Sequence, residues 1–171
     1  MKSPDMSNQQ SFDPMQADPK AFRAALGQFG TGVTIVTCLS EAGPMGITAN
    51  SFASLSLDPP LVTWAPARSS KRHDAFARAK HFAIHVLKAS QAPLCARFAK
   101  DGLDFDGLDW IAGTAGTPLI ENCLSRFECT RVALHEGGDH SLIIGQVEQV
   151  TTQAGTPLLF HGGRYGGFEA F

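Results

Sequence analysis

Four short polar segments carry the side chains of this sequence best equipped for chemistry. The first is Gly46-Ile47-Thr48-Ala49-Asn50-Ser51-Phe52. Thr48, Asn50 and Ser51 offer donors and acceptors without bulk, and Ala49 lets a flat ring approach the backbone. The second is Ala65-Pro66-Ala67-Arg68-Ser69-Ser70-Lys71-Arg72-His73, which follows a strand and opens a helix. A helix start leaves backbone N–H groups free for an anion. Five Lys or Arg stand between Trp64 and His81 against one acid, Asp74. Phosphate is the ligand that chemistry fits. The third segment is Gly138-Asp139-His140-Ser141, at a hairpin tip. The fourth is Gly162-Gly163-Arg164-Tyr165-Gly166-Gly167, where a guanidinium and a phenol among glycines can hold a phosphate and stack on a ring.

Each segment, taken alone, also has a plainer reading. The first is then a strand ending in a polar turn, and the second a solvated basic face. His140 becomes a turn residue capping a carbonyl, and the last segment a flexible tail. His81 and His85 alternate along one strand, and two histidines at that spacing make no metal site without further ligands. They read as structural, and no metal is expected. Gly27, Gly30 and Gly32 lack both the GxGxxG spacing and the preceding strand of a dinucleotide fold. A Walker loop, HExxH and GxSxG are all missing from the sequence.

The elements that must position these segments are mostly short strands. Residues 1–17 read as a flexible arm, and residues 18–171 as one domain. Asp18-Pro19 starts a helix bearing Phe22, Leu26 and Phe29, which Gly30 can close. Gly32–Leu39 is β-branched and reads as a strand, returning through Met45–Phe52 as a hairpin. Leu61–Ala65 is another strand, and Lys71–Arg78 a short helix. In His81–Leu87, Phe82, Ile84 and Val86 alternate with His81, Ala83 and His85. Ser90 can cap a helix pairing Leu94 with Phe98. Residues 101–118 read as a surface loop. Arg126–Leu134 and Ser141–Val150 form a hairpin, and Leu158–Phe160 is a last strand before a glycine-rich tail. Strands in hairpin order, with helices only as inserts, point to a mainly β antiparallel barrel.

Composition sets the outer limits. The 171 residues are 43% apolar and 18% charged, which suits one globular domain. A net charge of −2 gives no global pull toward nucleic acid or anionic membrane. No run approaches the roughly 20 apolar residues that span a bilayer. Met1–Pro19 is polar and lacks a secretory core, so a cytoplasmic location is expected. Cys38, Cys95, Cys123 and Cys129 show no CxxC spacing and read as buried free thiols.

Order and spacing join the segments. Phe29-Gly-Thr-Gly-Val-Thr-Ile-Val-Thr37, Gly46-Ile-Thr-Ala-Asn-Ser-Phe52 and Ser56-Leu-Asp-Pro-Pro-Leu-Val62 closely resemble the flavin reductase family of the FMN-binding split barrel. That family includes the reductase components of two-component flavin-dependent monooxygenases. The resemblance continues through His81–Leu87, Arg97-Phe98-Ala99, Gly138-Asp139-His140 and Gly163–Gly166, spanning roughly residues 20–168. It implies a homodimeric, six-stranded Greek-key split barrel with a few short helices and FMN or FAD near the dimer interface. Thr48, Ala49, Asn50 and Ser51 would line the isoalloxazine and ribityl chain. Ser54 and Ala65, Pro66 and Ala67 would flank the ring, while Ser69, Ser70, Lys71 and Arg72 would hold the phosphate. His140, with Arg164 and Tyr165, would meet the nicotinamide or the exposed flavin face. The chain departs from the family at Asp104-Phe105-Asp106, where members often carry Asp-Lys-Phe. It departs again at Phe160-His161-Gly162, where an aromatic–arginine pair is common.

The implied reaction is hydride transfer from NADH or NADPH to flavin, which then serves a partner monooxygenase. Such chemistry needs stacked rings and excluded water rather than a general base. Two other readings stay open at this stage. One keeps the flavin but reduces a different acceptor, such as a corrinoid cobalt or a ferric chelate. The other is a non-catalytic flavin- or haem-binding split barrel.

Overall fold

The computed structural model describes residues 10–170. Residues 1–9 of the expected arm lie outside them, and 13–17 form a turn in which the Met15 N–H donates to Asp13 Oδ1 at 2.9 Å. Asp18 then caps helix α1 (Pro19–Leu26), accepting from the Lys20 N–H at 2.8 Å. The helix stops at Gly27, not Gly30. Glycine costs about 1 kcal/mol inside a helix, and the Gly27 carbonyl takes an outside donor, the Gly162 N–H at 2.9 Å. Phe29 therefore lies beyond the helix and is 78% exposed.

Strands follow in quick succession. β1 (Thr31–Gly32) is short, and β2 (Thr34–Ser40) and β3 (Gly43–Ala49) form the expected hairpin, in register from Thr34↔Ala49 to Ser40↔Gly43. β4 (Ala53–Leu57) pairs with β5 (Pro60–Trp64). β4 carries no strand signal in the sequence, because a bulge between Ser54 and Ser56 breaks the alternation that would reveal it. Helix α2 (His73–Arg78) leads into β6 (His81–Val86), and a 3₁₀ turn leads into α3 (Ala92–Lys100). Ser90 lies inside that turn and caps nothing; the Gln91 side chain instead accepts from the Lys88 N–H at 3.1 Å.

Segment 101–118 is more than a surface loop. Phe105 is buried, its ring 5.0 Å from Phe98 and 5.6 Å from Trp110. β7 (Trp110–Ala112) and β8 (Pro118–Ile120) form a small hairpin there. The Gly and Asp content conceals these aromatic anchors. β9 (Ser125–Gly137) and β10 (His140–Thr152) are a long hairpin with a tight turn at Gly138-Asp139. β11 (Leu159–His161) pairs with β1 on one side and with β12 (Arg164–Gly166) on the other, so the glycine-rich tail is a strand rather than a free end.

The main sheet runs β3-β2-β6-β9-β10-β5-β4, antiparallel throughout, with one strand more than the implied six. Laid flat, its outer strands would stand about 29 Å apart at about 4.8 Å per step. Yet β3 and β4 are joined by only Asn50–Phe52, a connection that reaches about 14 Å at most. The sheet must roll until its two edges meet, which makes a barrel split between β3 and β4. Inside pack Trp64, Phe76, Phe82, Ile84 and Ile143. A second cluster, with Ile35, Leu87, Phe98, Phe105 and Ile120, lies between the barrel wall, α3 and β8. That outer cover buries both faces of β6, so Ala83 and His85 are as enclosed as Phe82 and Ile84. All four cysteines are free and buried.

Candidate functional site at the barrel rim

The split between β3 and β4 is where the first polar segment lies. Thr48 and Ala49 close β3, and Asn50 and Ser51 begin the crossing to β4. Thr48 Oγ1 donates to the Cys95 carbonyl of α3 at 2.9 Å, and the Ala49 carbonyl accepts from Thr34 Oγ1 at 2.7 Å. Ser51 Oγ accepts from the Ala65 N–H at 2.9 Å and donates to the Ala65 carbonyl at 3.1 Å. That hydroxyl latches the crossing to the end of β5. Ser54 sits further along β4, exposed at the bulge. The ledge is a pinned surface with Ala49 its smallest point.

A cleft of about 150 Å³ opens over this ledge, lined by Val33, Thr48, Ala49, Asn50, Phe160 and Tyr165. Tyr165 arrives from β12 and packs its ring against Phe160, with centroids 5.4 Å apart and planes tilted at 56°. Burial pushes both the Cys95 thiol and the Tyr165 phenol above their ordinary values, so both keep their protons. Arg164 is exposed on the same short strand and is not among the lining residues.

A larger hollow of about 550 Å³ is bounded by Met45, Ser70, Gly102, the cations Lys71, Arg72 and Lys100, and one acid, Asp101, whose Oδ1 accepts from the Leu103 N–H at 2.9 Å. Arg72 Nη2 donates to the Ala99 carbonyl at 3.1 Å, near the end of α3. Gly102 must be glycine here, since a Cβ would stand 2.5 Å from Arg72 Nε and 2.8 Å from the Gly46 carbonyl. The α2 start is less open than expected. Its helix is only six residues long, the Arg72 N–H donates to Ser70 Oγ at 3.2 Å, and the His73 N–H donates to the Ser70 carbonyl at 3.0 Å. Cationic side chains, more than helix N–H groups, make this hollow suited to an anion. Ser69 is exposed and does not line it. Helix α3 joins the two regions, because Thr48 and Arg72 are bonded to carbonyls one turn apart, at Cys95 and Ala99.

The third segment docks on the second. Ala67 bridges His140, the Ser141 N–H donates to the buried Pro66 at 3.1 Å, and the Arg68 N–H donates to the Asp139 carbonyl at 2.8 Å. His140 has 43% of its side chain exposed and its Nδ1 2.7 Å from Asp139 Oδ1, an interaction that holds the Asp139 carboxyl below its usual range. A chain of contacts thus runs from Ser51 to Ala65 and along Pro66 to Ala67, from which one branch reaches His140 and another passes through Ser70 to Arg72. Phe160, Val33 and Lys100 were not foreseen. Phe160 and Val33 look like ordinary strand hydrophobics, and Lys100 sits among unremarkable helix charges. The arrangement provides a pinned ledge with an aromatic wall, a predominantly cationic hollow and a half-open imidazole.

Residues 26–169 match the model of the flavin reductase like domain. FMN reductase (NADH) SmoA of Agrobacterium fabrum is 53% identical over 164 residues, which cover 96% of this chain and 94% of that protein. HsaB of Mycobacterium tuberculosis, a reductase subunit of a flavin-dependent monooxygenase, is 40% identical over 158 residues, covering 90% and 84%. Among solved structures, the NADH:FAD oxidoreductase SgcE6 of Streptomyces globisporus aligns with a TM-score of 0.87 at 38% identity, covering 95% of this chain and 94% of that one. The same enzyme in complex with NAD and FAD fragments aligns with a TM-score of 0.86. With the family model spanning nearly the whole barrel and close relatives matched almost end to end, this chain belongs to the flavin reductase like family.

Proposed function

We propose that this protein is an NAD(P)H-dependent flavin reductase whose ring site is the ledge at the barrel split. The observation that carries this reading is the convergence of Thr48, Ala49, Asn50 and Tyr165, from distant parts of the chain, on one cleft. The residues present fit a flavin. A planar ring needs a wall without bulk and a polar edge, which Ala49, Asn50 and the main chain beside them supply. A phosphate needs nearby cations, which Lys71, Arg72 and Lys100 supply around a single hollow.

Hydride transfer from reduced nicotinamide is the chemistry that a bound flavin supports. The chain's own part is to bind, orient and exclude water. Thr48 through Ser51 hold the ring edge, and Pro66 and Ala67 border it. Ser54 and Ser69 stand at the margin, and Ser70, Lys71 and Arg72 take the phosphate. His140 receives the nicotinamide, with Tyr165 stacking and Arg164 at the outer rim. The protein supplies reduced flavin to a partner monooxygenase, a role supported by relatives that are reductase subunits of such systems.

The working unit is a homodimer. Supporting this, large apolar side chains stand exposed on β4 (Leu55, Leu57), β9 (Val132, Leu134) and β10 (Leu142), the kind of surface that burial against a second copy would cover. A cytoplasmic location is consistent with four cysteines that are all free.

Aerobic NADH or NADPH consumption with added FMN or FAD tests the function directly. Flavin-dependent turnover is expected, with binding visible in the flavin absorbance spectrum. Tight flavin uptake with no nicotinamide oxidation would make this a binding protein, and no uptake would remove the flavin altogether.

A further inference from the structure

The turn carrying His140 is tied to segment 66–68 by two main-chain hydrogen bonds, which many side chains would permit. Two side-chain links join the same neighbourhoods, an exposed one in which Arg68 Nη2 donates to Glu136 Oε1 at 3.1 Å and a more enclosed one at His73. His73, the first residue of α2, has Nε2 2.8 Å from Ser141 Oγ and Nδ1 3.0 Å from Asp74 Oδ1. The order of groups is carboxylate, imidazole, hydroxyl.

The ionised Asp74 carboxylate only accepts, so it selects the tautomer with its proton on Nδ1. In the neutral ring Nε2 then accepts from the Ser141 hydroxyl. In a hydrolase this connectivity activates a serine for attack. Here Ser141 is 5% exposed and faces into the protein beneath α2, so the link acts by holding rather than by attacking. Side chains alternate along a strand. With Ser141 held inward, its neighbour His140 points outward, where 43% of its side chain is exposed. The His73 ring is itself only 14% exposed, so water competes poorly for the bond. Ser141 is also held through its N–H, which donates to the Pro66 carbonyl.

We propose that His73, oriented by Asp74, is a positioning residue for the hydride donor. Through Ser141 it fixes the His140 side chain against Pro66 and Ala67, and so sets where the nicotinamide lies relative to the ledge. The inference rests on the flavin-reductase reading above.

The test is steady-state NADH oxidation with FMN, together with flavin titration, for the full chain and for His73→Ala, His73→Gln and Ser141→Ala. Loss of one such hydrogen bond should raise the NADH KM about fivefold to tenfold in His73→Ala and in Ser141→Ala. Flavin Kd and kcat should stay within about twofold, since neither the ledge nor the hollow is touched. The double variant should match the single ones, because both remove one link. His73→Gln, whose amide reaches the same hydroxyl, should recover most of the NADH KM. On a His140→Ala background, His73→Ala should add nothing. A merely structural His73 would lower Tm, shift flavin Kd and NADH KM together, and add its full effect to His140→Ala; that outcome overturns the proposal. Should His73→Ala fail to fold, Ser141→Ala and His73→Gln carry the same comparison. Wild-type turnover with unchanged NADH KM in the variants sinks the positioning role alone. A wild-type protein without flavin-dependent NADH oxidation sinks the functional reading with it.

Discussion

His85 in β6 and His140 at the start of β10 belong to the same seven-stranded sheet, and each has its Nδ1 in a hydrogen bond. Their surroundings separate them. His85 is fully buried, and Ile120 donates its N–H to Nε2 at 3.0 Å, which leaves the proton on Nδ1 to donate to the Ile35 carbonyl at 3.0 Å. Both nitrogens are spent on main chain, and burial pushes the ring down to about 4, so it stays neutral. His140 is bonded to an exposed aspartate and keeps much of its ring in the open. The barrel wall uses histidine as a cross-link between β2 and β8, whereas the rim leaves it open, free for the nicotinamide role proposed above. Ring chemistry is common to both, and enclosure decides the job.

The largest effect should come from breaking the wall. His85→Ala leaves the Ile120 N–H without its partner, removes the bond to Ile35 and opens a cavity, a loss of about 3 kcal/mol in urea unfolding. Flavin affinity of the folded protein should be spared. The same residue gives an acid limb. Unfolded, the imidazole titrates near 6.5; folded, near 4. Between these values the unfolded chain binds the proton and the native chain does not, so stability falls as pH drops through that window and is fully present above it. The total is about 3 kcal/mol for a shift of this size, and the pH dependence of Tm should lose that component in His85→Ala.

At the rim the effects fall on ligands instead. Lys71→Ala with Arg72→Ala should weaken flavin binding about thirtyfold at low ionic strength and less at high salt. An unchanged Kd by fluorescence titration would move the phosphate elsewhere. His140→Ala should raise the NADH KM about tenfold or slow hydride transfer to match, with flavin affinity nearly intact. Lost stability with normal kinetics would make His140 a second His85. The finest distinction lies within β12. Tyr165→Ala should cost flavin affinity about fivefold, since its ring walls the cleft. Arg164→Ala should change it less than about twofold, its side chain being exposed.

Much of the fold was legible because hydrophobic alternation and turn residues are local signals. Asp18-Pro19, the β2–β3 hairpin and the Gly138-Asp139 turn all stand where their residue types require. β4 escaped because its bulge breaks the period of two, and the anchors Phe105 and Trp110 were masked by the glycines and aspartates around them. At the site, the polar segments were visible from their composition. Their meeting was not. Phe160, Val33 and Lys100 carry no local mark, and the His73 link to Ser141 joins residues far apart in the chain.

Local chemistry therefore determined which segments carry small polar groups, cations, an imidazole and an aromatic ring, since side-chain type and turn propensity are carried by neighbours along the chain. Which of them share a cavity was decided only when a three-residue crossing forced the sheet to roll and α3 packed against β3. Those contacts depend on closure of the whole barrel, and no window of sequence contains it.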